Sequence, residues 1–151
     1  MKKLYGVMAV VLGVVLVFSV VGLAKNDVLC KATGAAQLDA SGYLSLRKVT
    51  LTFNARVYDN GEADGVVTIL AHPYEGTPWK AKARFETGTC IPTQRMDLYG
   101  TDESGNEVVL KIGDKTYLGW DAVWFTWEGF GGMSTPLVGG GNIVVHCYST
   151  S

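Results

Sequence analysis

The stretch YLGWDAVWFTWEGFGGMSTPLVGGGNIVVHC, residues 117–147, predicts two β-strands joined by a glycine-rich loop. In residues 121–128 the side chains of Val123, Phe125 and Trp127 fall on one face, and those between them fall on the other. Residues 143–148 alternate in the same way. A period of two is that of a half-buried strand, so the closing part of the chain is predicted to be β-structure.

Upstream, residues 48–58, KVTLTFNARVY, form the clearest strand pattern in the chain, because every second residue from Val49 to Val57 is apolar. Asn60-Gly61 follows it. An Asn-Gly pair between two alternating segments is the strongest short-range signal for a β-hairpin. The partner strand is predicted at residues 63–72.

The remaining alternating segments complete an all-β domain. They lie at 42–46, 80–87, 94–100, 107–112 and 116–120. With those above, about eight strands follow one another at the spacing typical of a sandwich or a small barrel. We expect an antiparallel β-sandwich, with a small closed β-barrel as the alternative. The glycine run 139–141 is predicted to be a turn or bulge that opens the last strand, since it lacks the Lys-Ser/Thr of a phosphate-binding loop.

The N-terminus has the pattern of an export segment. Lys2 and Lys3 precede an uncharged apolar run over residues 5–24, which is expected to be helical and is long enough to span a bilayer. Residues 1–24 are either a cleaved signal peptide, the interpretation we favour, or an uncleaved membrane anchor. In both cases residues 25–151 are expected outside the cytoplasm, as one β domain that is extracellular or held at the cell surface.

Charge narrows the range of partners. Without Lys2 and Lys3, 11 of the 13 basic residues remain against 14 acidic ones, which leaves a formal charge of −3. This balance disfavours nucleic acid and anionic membrane surfaces. A membrane contact is expected only through residues 5–24, if they are retained. The oligomeric state is not indicated by the sequence.

Three cysteines follow the apolar segment: Cys30, Cys90 and Cys147. In an oxidising compartment an odd number indicates one disulfide and one spare thiol. Three pairings are open, as is a chain with three unbridged thiols. We favour Cys30 with Cys147, because the first and last strands of a closed β domain are often neighbours.

No arrangement of side chains predicts catalysis, a metal or a cofactor. His146 could act with Asp121 or Glu128 in a small hydrolase, but those two carboxylates would lie about 23 Å apart at opposite ends of one strand. They therefore cannot share a metal ion. A catalytic cysteine would need a nearby base, and His72 and His146 are the chain's two histidines. The domain is expected to be non-catalytic.

Aromatic residues are the best candidates for a binding site. Trp124 and Trp127 lie on opposite faces of one strand, so one of them should lie outside the main core. Exposed aromatic side chains stack on sugar rings and form protein interfaces. We predict a binding module for a carbohydrate or a protein surface, with Trp79, Trp120, Trp124 and Tyr74 as candidate ligand-binding residues. The alternative is an assembly subunit that adds a strand to a neighbour's sheet edge, and a secreted hydrolase is the least favoured.

Four segments resemble, in their order, the small secreted β domains of the post-COAP type. They are FNARVYDNGEADGVVTI (53–69), RMDLYG (95–100), GWDAVWFTW (119–127) and LVGGGNIVVH (137–146). The resemblance covers about residues 48–147 and implies a secreted β fold. Its motifs are turn and strand signatures, so it implies no activity and no functional residues.

Overall fold

The structure, a computed structural model, describes residues 26–42, 45–91, 95–113, 122–130 and 136–148. The strands in chain order are β1 (Val28–Asp39), β2 (Leu46–Tyr58), β3 (Ala63–Pro73), β4 (Trp79–Ile91), β5 (Arg95–Asp102), β6 (Glu107–Gly113), β7 (Ala122–Trp127) and β8 (Leu137–Cys147). A 3₁₀ turn, Glu128–Phe130, follows β7. Across these ranges no helix has the length and apolarity to cross a membrane. The predicted helix at 5–24 and the predicted strand at 116–120 lie outside the described residues.

The eight strands form a closed antiparallel barrel. Each strand pairs with the next one along the chain, and β8 returns to pair with β1. Lys31 of β1, for example, lies opposite both Arg56 of β2 and His146 of β8. The prediction of an antiparallel all-β domain is confirmed, in the form of its closed-barrel alternative. The sandwich preference is corrected, and the reason is that strands of a sandwich and of a barrel show the same alternation.

Side chains fill the interior, as they do in other eight-stranded barrels. Inward apolar residues from all eight strands form a single core. Most of the outward residues between them are polar or charged, with exceptions such as Val66, Val138 and Val144. The largest of the fully buried side chains are Phe125, Leu38, Leu51, Ile69, Met96, Leu98, Leu110 and Ile112. Burial of this apolar surface stabilises the barrel by roughly 25 cal/mol for each Å² removed from water.

Strand β1 was not predicted. The short first strand predicted at 42–46 falls partly on residues 43–44, which lie outside the described residues. Gly42 lies in a turn, and Leu46 begins β2. The inward side of β1 carries small residues, including Ala32, Gly34 and Ala36. The inward residues therefore differ little in hydrophobicity from the outward ones, and the alternation is hard to see in the sequence.

The glycine run 139–141 lies inside β8 and not in a turn or bulge. Gly139 pairs with Leu38 and Gly141 with Ala36 of β1. A Cβ on Gly139 would overlap the carbonyl oxygen of Gln37. Glycine is therefore needed because the two backbones approach too closely for a side chain.

Strand β4 bends across one end of the barrel. Its first half, through Arg84, pairs with β3 and its second half pairs with β5, with a register shift between Phe85 and Thr87. Gly88 donates its N–H to the carbonyl oxygen of Gly61 at 3.1 Å. This bend carries Cys90 to the barrel end where β1 begins and β8 finishes, which we call the cysteine end. The opposite end, where β7 finishes, we call the aromatic end.

Candidate functional site

A groove runs over the outer face of β5, β6 and β7. Tyr99, Val109 and Thr126 are register partners across the three strands, and Lys111 lies opposite Trp124 in the adjacent row. Because neighbouring strands are about 4.8 Å apart, these outward side chains form a continuous surface. The groove has a volume of about 470 Å³ and is lined by Arg95, Tyr99, Val109, Lys111, Trp124, Thr126 and Pro136.

The groove carries positive charge. Arg95 Nε lies 3.0 Å from Asp97 Oδ1, and the Asp97 side chain is buried. That oxygen accepts no aligned hydrogen bond among the described residues, so the contact is an ion pair by distance alone. Lys111 forms no ion pair with any described residue. Among the described residues, Lys111 is thus a groove cation without an ion pair, with the buried Asp97 as its register partner on β5.

The two tryptophans of β7 lie as their alternation predicts. Trp127 is 5% exposed and belongs to the core. Trp124 is half-buried on the outer face, where it lines the groove. The expectation that one of the two lies outside the core is confirmed.

The other candidate aromatics do not line the groove. Trp79 is 39% exposed and packs at the aromatic end, with ring centroids 5.6 Å from Trp127 and 5.8 Å from Phe130. Tyr74 is exposed in the connection between β3 and β4. Trp120 lies outside the described residues. Of the four candidates, the structure thus places Trp124 in the groove and places Trp79 and Tyr74 elsewhere.

Asp102 organises the aromatic end. Its Oδ2 accepts hydrogen bonds from Trp127 Nε1 and Asn106 Nδ2, both at 2.8 Å. Its Oδ1 accepts from the backbone N–H of Ser104 at 2.8 Å and of Asn106 at 2.9 Å. Partial burial acts to raise the pKa of Asp102, but the hydrogen bonds from Asn106, Trp127 and Ser104 together lower it to about 2. Through these hydrogen bonds the Asp102 carboxylate holds Ser104, Asn106 and Trp127 together at this end of the barrel.

A second hollow, of about 430 Å³, lies over β1, β2 and β8. Its Arg56 is already paired with Asp64, at 3.2 Å. Tyr58 donates its hydroxyl to the same carboxylate at 2.6 Å, and this hydrogen bond raises the pKa of Tyr58. The other basic residue of the hollow, Lys31, has its Nζ 5.8 Å from the centre of the Tyr148 ring and forms no ion pair with a described residue. The hollow differs from the groove in that no tryptophan or tyrosine is among its described lining residues.

The residues considered for a hydrolase are not brought together. His146 is exposed on the outer face of β8, with its ring 4.7 Å from that of Tyr148. Glu128 lies at the aromatic end, where it accepts a hydrogen bond from the N–H of Glu107 at 3.0 Å. Asp121 lies outside the described residues. In the part of the chain that the structure describes, His146 has no carboxylate partner.

The disulfide joins Cys30 to Cys90 and leaves Cys147 free. The structure thus shows Cys90, and not the favoured Cys147, as the partner of Cys30. The premise of the favoured pairing holds, because Cys30 and Cys147 are register partners on β1 and β8. The bend of β4 brings in Cys90, which the sequence pattern did not indicate.

No protein-family model, curated protein sequence or solved structure matched this chain. The resemblance to post-COAP-type domains therefore stays a prediction. Sequence reasoning missed the groove residues Arg95, Tyr99 and Lys111. The alternation of β5 and β6 marks Tyr99 and Lys111 as outward, but their proximity to Trp124 depends on strand register.

Proposed function

We propose that this chain is an exported, non-catalytic binding module that holds an acidic carbohydrate in the outer groove. The observation that carries the proposal is the half-buried Trp124 beside Lys111, a cation with no ion-pair partner among the described residues. Export is supported by the apolar segment at 5–24 and its preceding lysines.

The chemistry of the groove suits a sugar that bears a carboxylate. An aromatic ring offers an apolar face to the C–H groups of a pyranose. The Lys111 ammonium can pair with the carboxylate, and the Thr126 hydroxyl can hydrogen-bond to a sugar hydroxyl. Arg95 Nε is paired with Asp97, whereas Lys111 forms no ion pair with a described residue, so we expect Lys111 to contribute most to selecting an acidic ring over a neutral one. A few polar groups around an apolar floor are typical of small-molecule sites.

Binding to a polyuronate, with dextran as the neutral comparison, tests the proposal. The full chain is titrated with each polymer by calorimetry. We expect Trp124→Ala to weaken polyuronate binding at least about tenfold, a loss of about 1.4 kcal/mol. Lys111→Gln should remove the preference for polyuronate over dextran.

Trp79→Ala is the matched control, since Trp79 is the exposed tryptophan that does not line the groove. Circular dichroism first checks that all three variants, Trp124→Ala, Lys111→Gln and Trp79→Ala, keep the secondary structure of the wild-type protein. Equal affinity of the wild-type protein and Trp124→Ala for the polyuronate would contradict the proposal. So would an equal loss with Trp79→Ala.

Assembly by strand addition is the less favoured alternative. That mode needs a sheet edge, and each of the eight strands pairs with two neighbours, so that among the described residues only parts of strands, such as 140–147 of β8, pair on one side alone. For the hydrolase alternative, His146 and Glu128 lie at different ends of the barrel, and Asp121, its other candidate partner, lies outside the described residues.

A further inference from the structure

Three sulfur atoms meet at the cysteine end of the barrel. The Sγ atoms of Cys30, Cys90 and Cys147 all lie within 4.8 Å of one another. Cys30 and Cys90 are bonded, and their Cα atoms are 6.2 Å apart. The free Cys147 Sγ lies 3.2 Å from Cys90 Sγ. A thiol in contact with a disulfide sulfur is placed where exchange begins.

We propose that these residues form a disulfide-exchange site in which Cys30 and Cys147 alternate as the partner of Cys90. The fold places the two alternatives side by side, because Cys30 and Cys147 are register partners on adjacent strands. Either bridge ties the end of β4 to the same pair of strands. The barrel can therefore accommodate both isomers without moving its backbone pairing.

The exchange is neutral in electrons. Cys147 loses its thiol proton to solvent, and the thiolate attacks Cys90 Sγ. The new Cys90–Cys147 bond forms as the Cys30–Cys90 bond breaks, and its electron pair leaves on Cys30 Sγ. Cys30 then takes up a proton. One thiol and one disulfide are present before and after, so no oxidant or reductant is consumed.

Exchange changes the accessibility of the free thiol. In one isomer the free thiol belongs to Cys147, a partly exposed residue that packs against the edge of the core. In the other it is Cys30, which is 0% exposed. Reactivity of a thiol requires exposure as well as thiolate character. The site thus converts a chain with a reactive thiol into one whose thiol is enclosed in the core.

Peptide mapping of the full chain, prepared without reductant, tests the proposal. The protein is incubated at mildly alkaline pH, quenched with acid and digested under acidic conditions that stop further exchange. We expect both Cys30–Cys90 and Cys90–Cys147 peptides from the wild-type chain, within about tenfold of each other, because both bridges constrain the same strands. Cys147→Ser should yield the Cys30–Cys90 peptide alone, and Cys30→Ser the Cys90–Cys147 peptide.

Native alkylation supplies a second measurement that does not need the variants to fold. A pulse of a small maleimide that is short compared with the exchange should label less than one thiol per wild-type chain, and the unlabelled fraction should match the fraction with the Cys90–Cys147 bridge. Complete labelling of Cys147 within the shortest pulse, with Cys30–Cys90 as the sole bridge, would overturn the proposal. A bridge between Cys30 and Cys147 that leaves Cys90 free would overturn it as well.

Discussion

The two ends of the barrel are closed by different kinds of interaction. At the aromatic end Trp79, Trp127 and Phe130 pack with ring centroids 4.6 to 5.8 Å apart, and Asp102 anchors the Trp127 indole by a hydrogen bond. At the cysteine end the bent β4 is joined to β1 by a covalent bridge. Both arrangements cover the core at an open rim. The stability of the aromatic end is therefore expected to depend on packing and charge, whereas that of the cysteine end depends on the redox state of its cysteines.

Loss of the bridge is expected to have the largest effect. In a Cys147→Ser background, which prevents any alternative disulfide, adding Cys90→Ser removes a link between residues 60 positions apart. Such a link lowers the entropy of the unfolded chain, so its loss should cost about 4 kcal/mol in the free energy of unfolding. Denaturant unfolding without reductant measures the difference from Cys147→Ser alone. A loss below about 1 kcal/mol would show that the cysteine end is held by packing.

At the aromatic end Trp127→Phe should cost about 2 kcal/mol, because the variant keeps a buried ring but removes a hydrogen bond to a charged group. Trp79→Phe is the control, since Trp79 is more exposed and donates no hydrogen bond to a described residue. Its cost should stay below about 1 kcal/mol. Thermal unfolding of both variants gives the comparison, and equal losses would mean that Asp102 does not anchor this end.

Lowering the pH should have the smallest effect on stability, and we expect this effect at the aromatic end, where Asp102 lies. The pKa of Asp102 is lowered from 3.8 to about 2. A carboxyl with a lowered folded-state pKa stabilises the fold fully above its unfolded value, and this contribution is lost as pH falls from about 4 to about 2. The carboxylate is partly exposed, so solvent screening keeps the effect modest. Tryptophan emission followed through this range should change in the wild-type protein, and a similar change in Asp102→Asn would contradict the assignment.

The parts of the fold that sequence predicted are those set by local pattern. Strands β2 and β3 alternate clearly, and the Asn60-Gly61 turn is present, with Gly61 at a φ of 82°. Strand β1 was not predicted from the sequence, because most of its buried residues are small and its alternation is therefore weak. Ring closure could not be predicted either, since it depends on the pairing of β1 with β8 and not on the pattern of any one strand.

The residues of the candidate site were likewise predictable only where the pattern within a single strand defines their position. Trp124 was identified because alternation within β7 places it opposite the core face. Its neighbours Tyr99 and Lys111 come from other strands, and their positions depend on register. The position of Cys90 depends on the irregularity between Phe85 and Thr87, which no turn residue marks.

The pairing of β8 with β1 also has a consequence for the order in which the chain folds. The other seven pairings are hairpin-like, between strands consecutive in the chain, and each closes a short loop. Bringing Cys147 to Cys30 closes a loop that spans nearly the whole described domain, at an entropic cost of about 4 kcal/mol. Because the hairpins shorten the effective loop as they form, we expect the closing of the ring to be a late event in folding. The glycines of β8 then let the two backbones meet without the rearrangement of side chains.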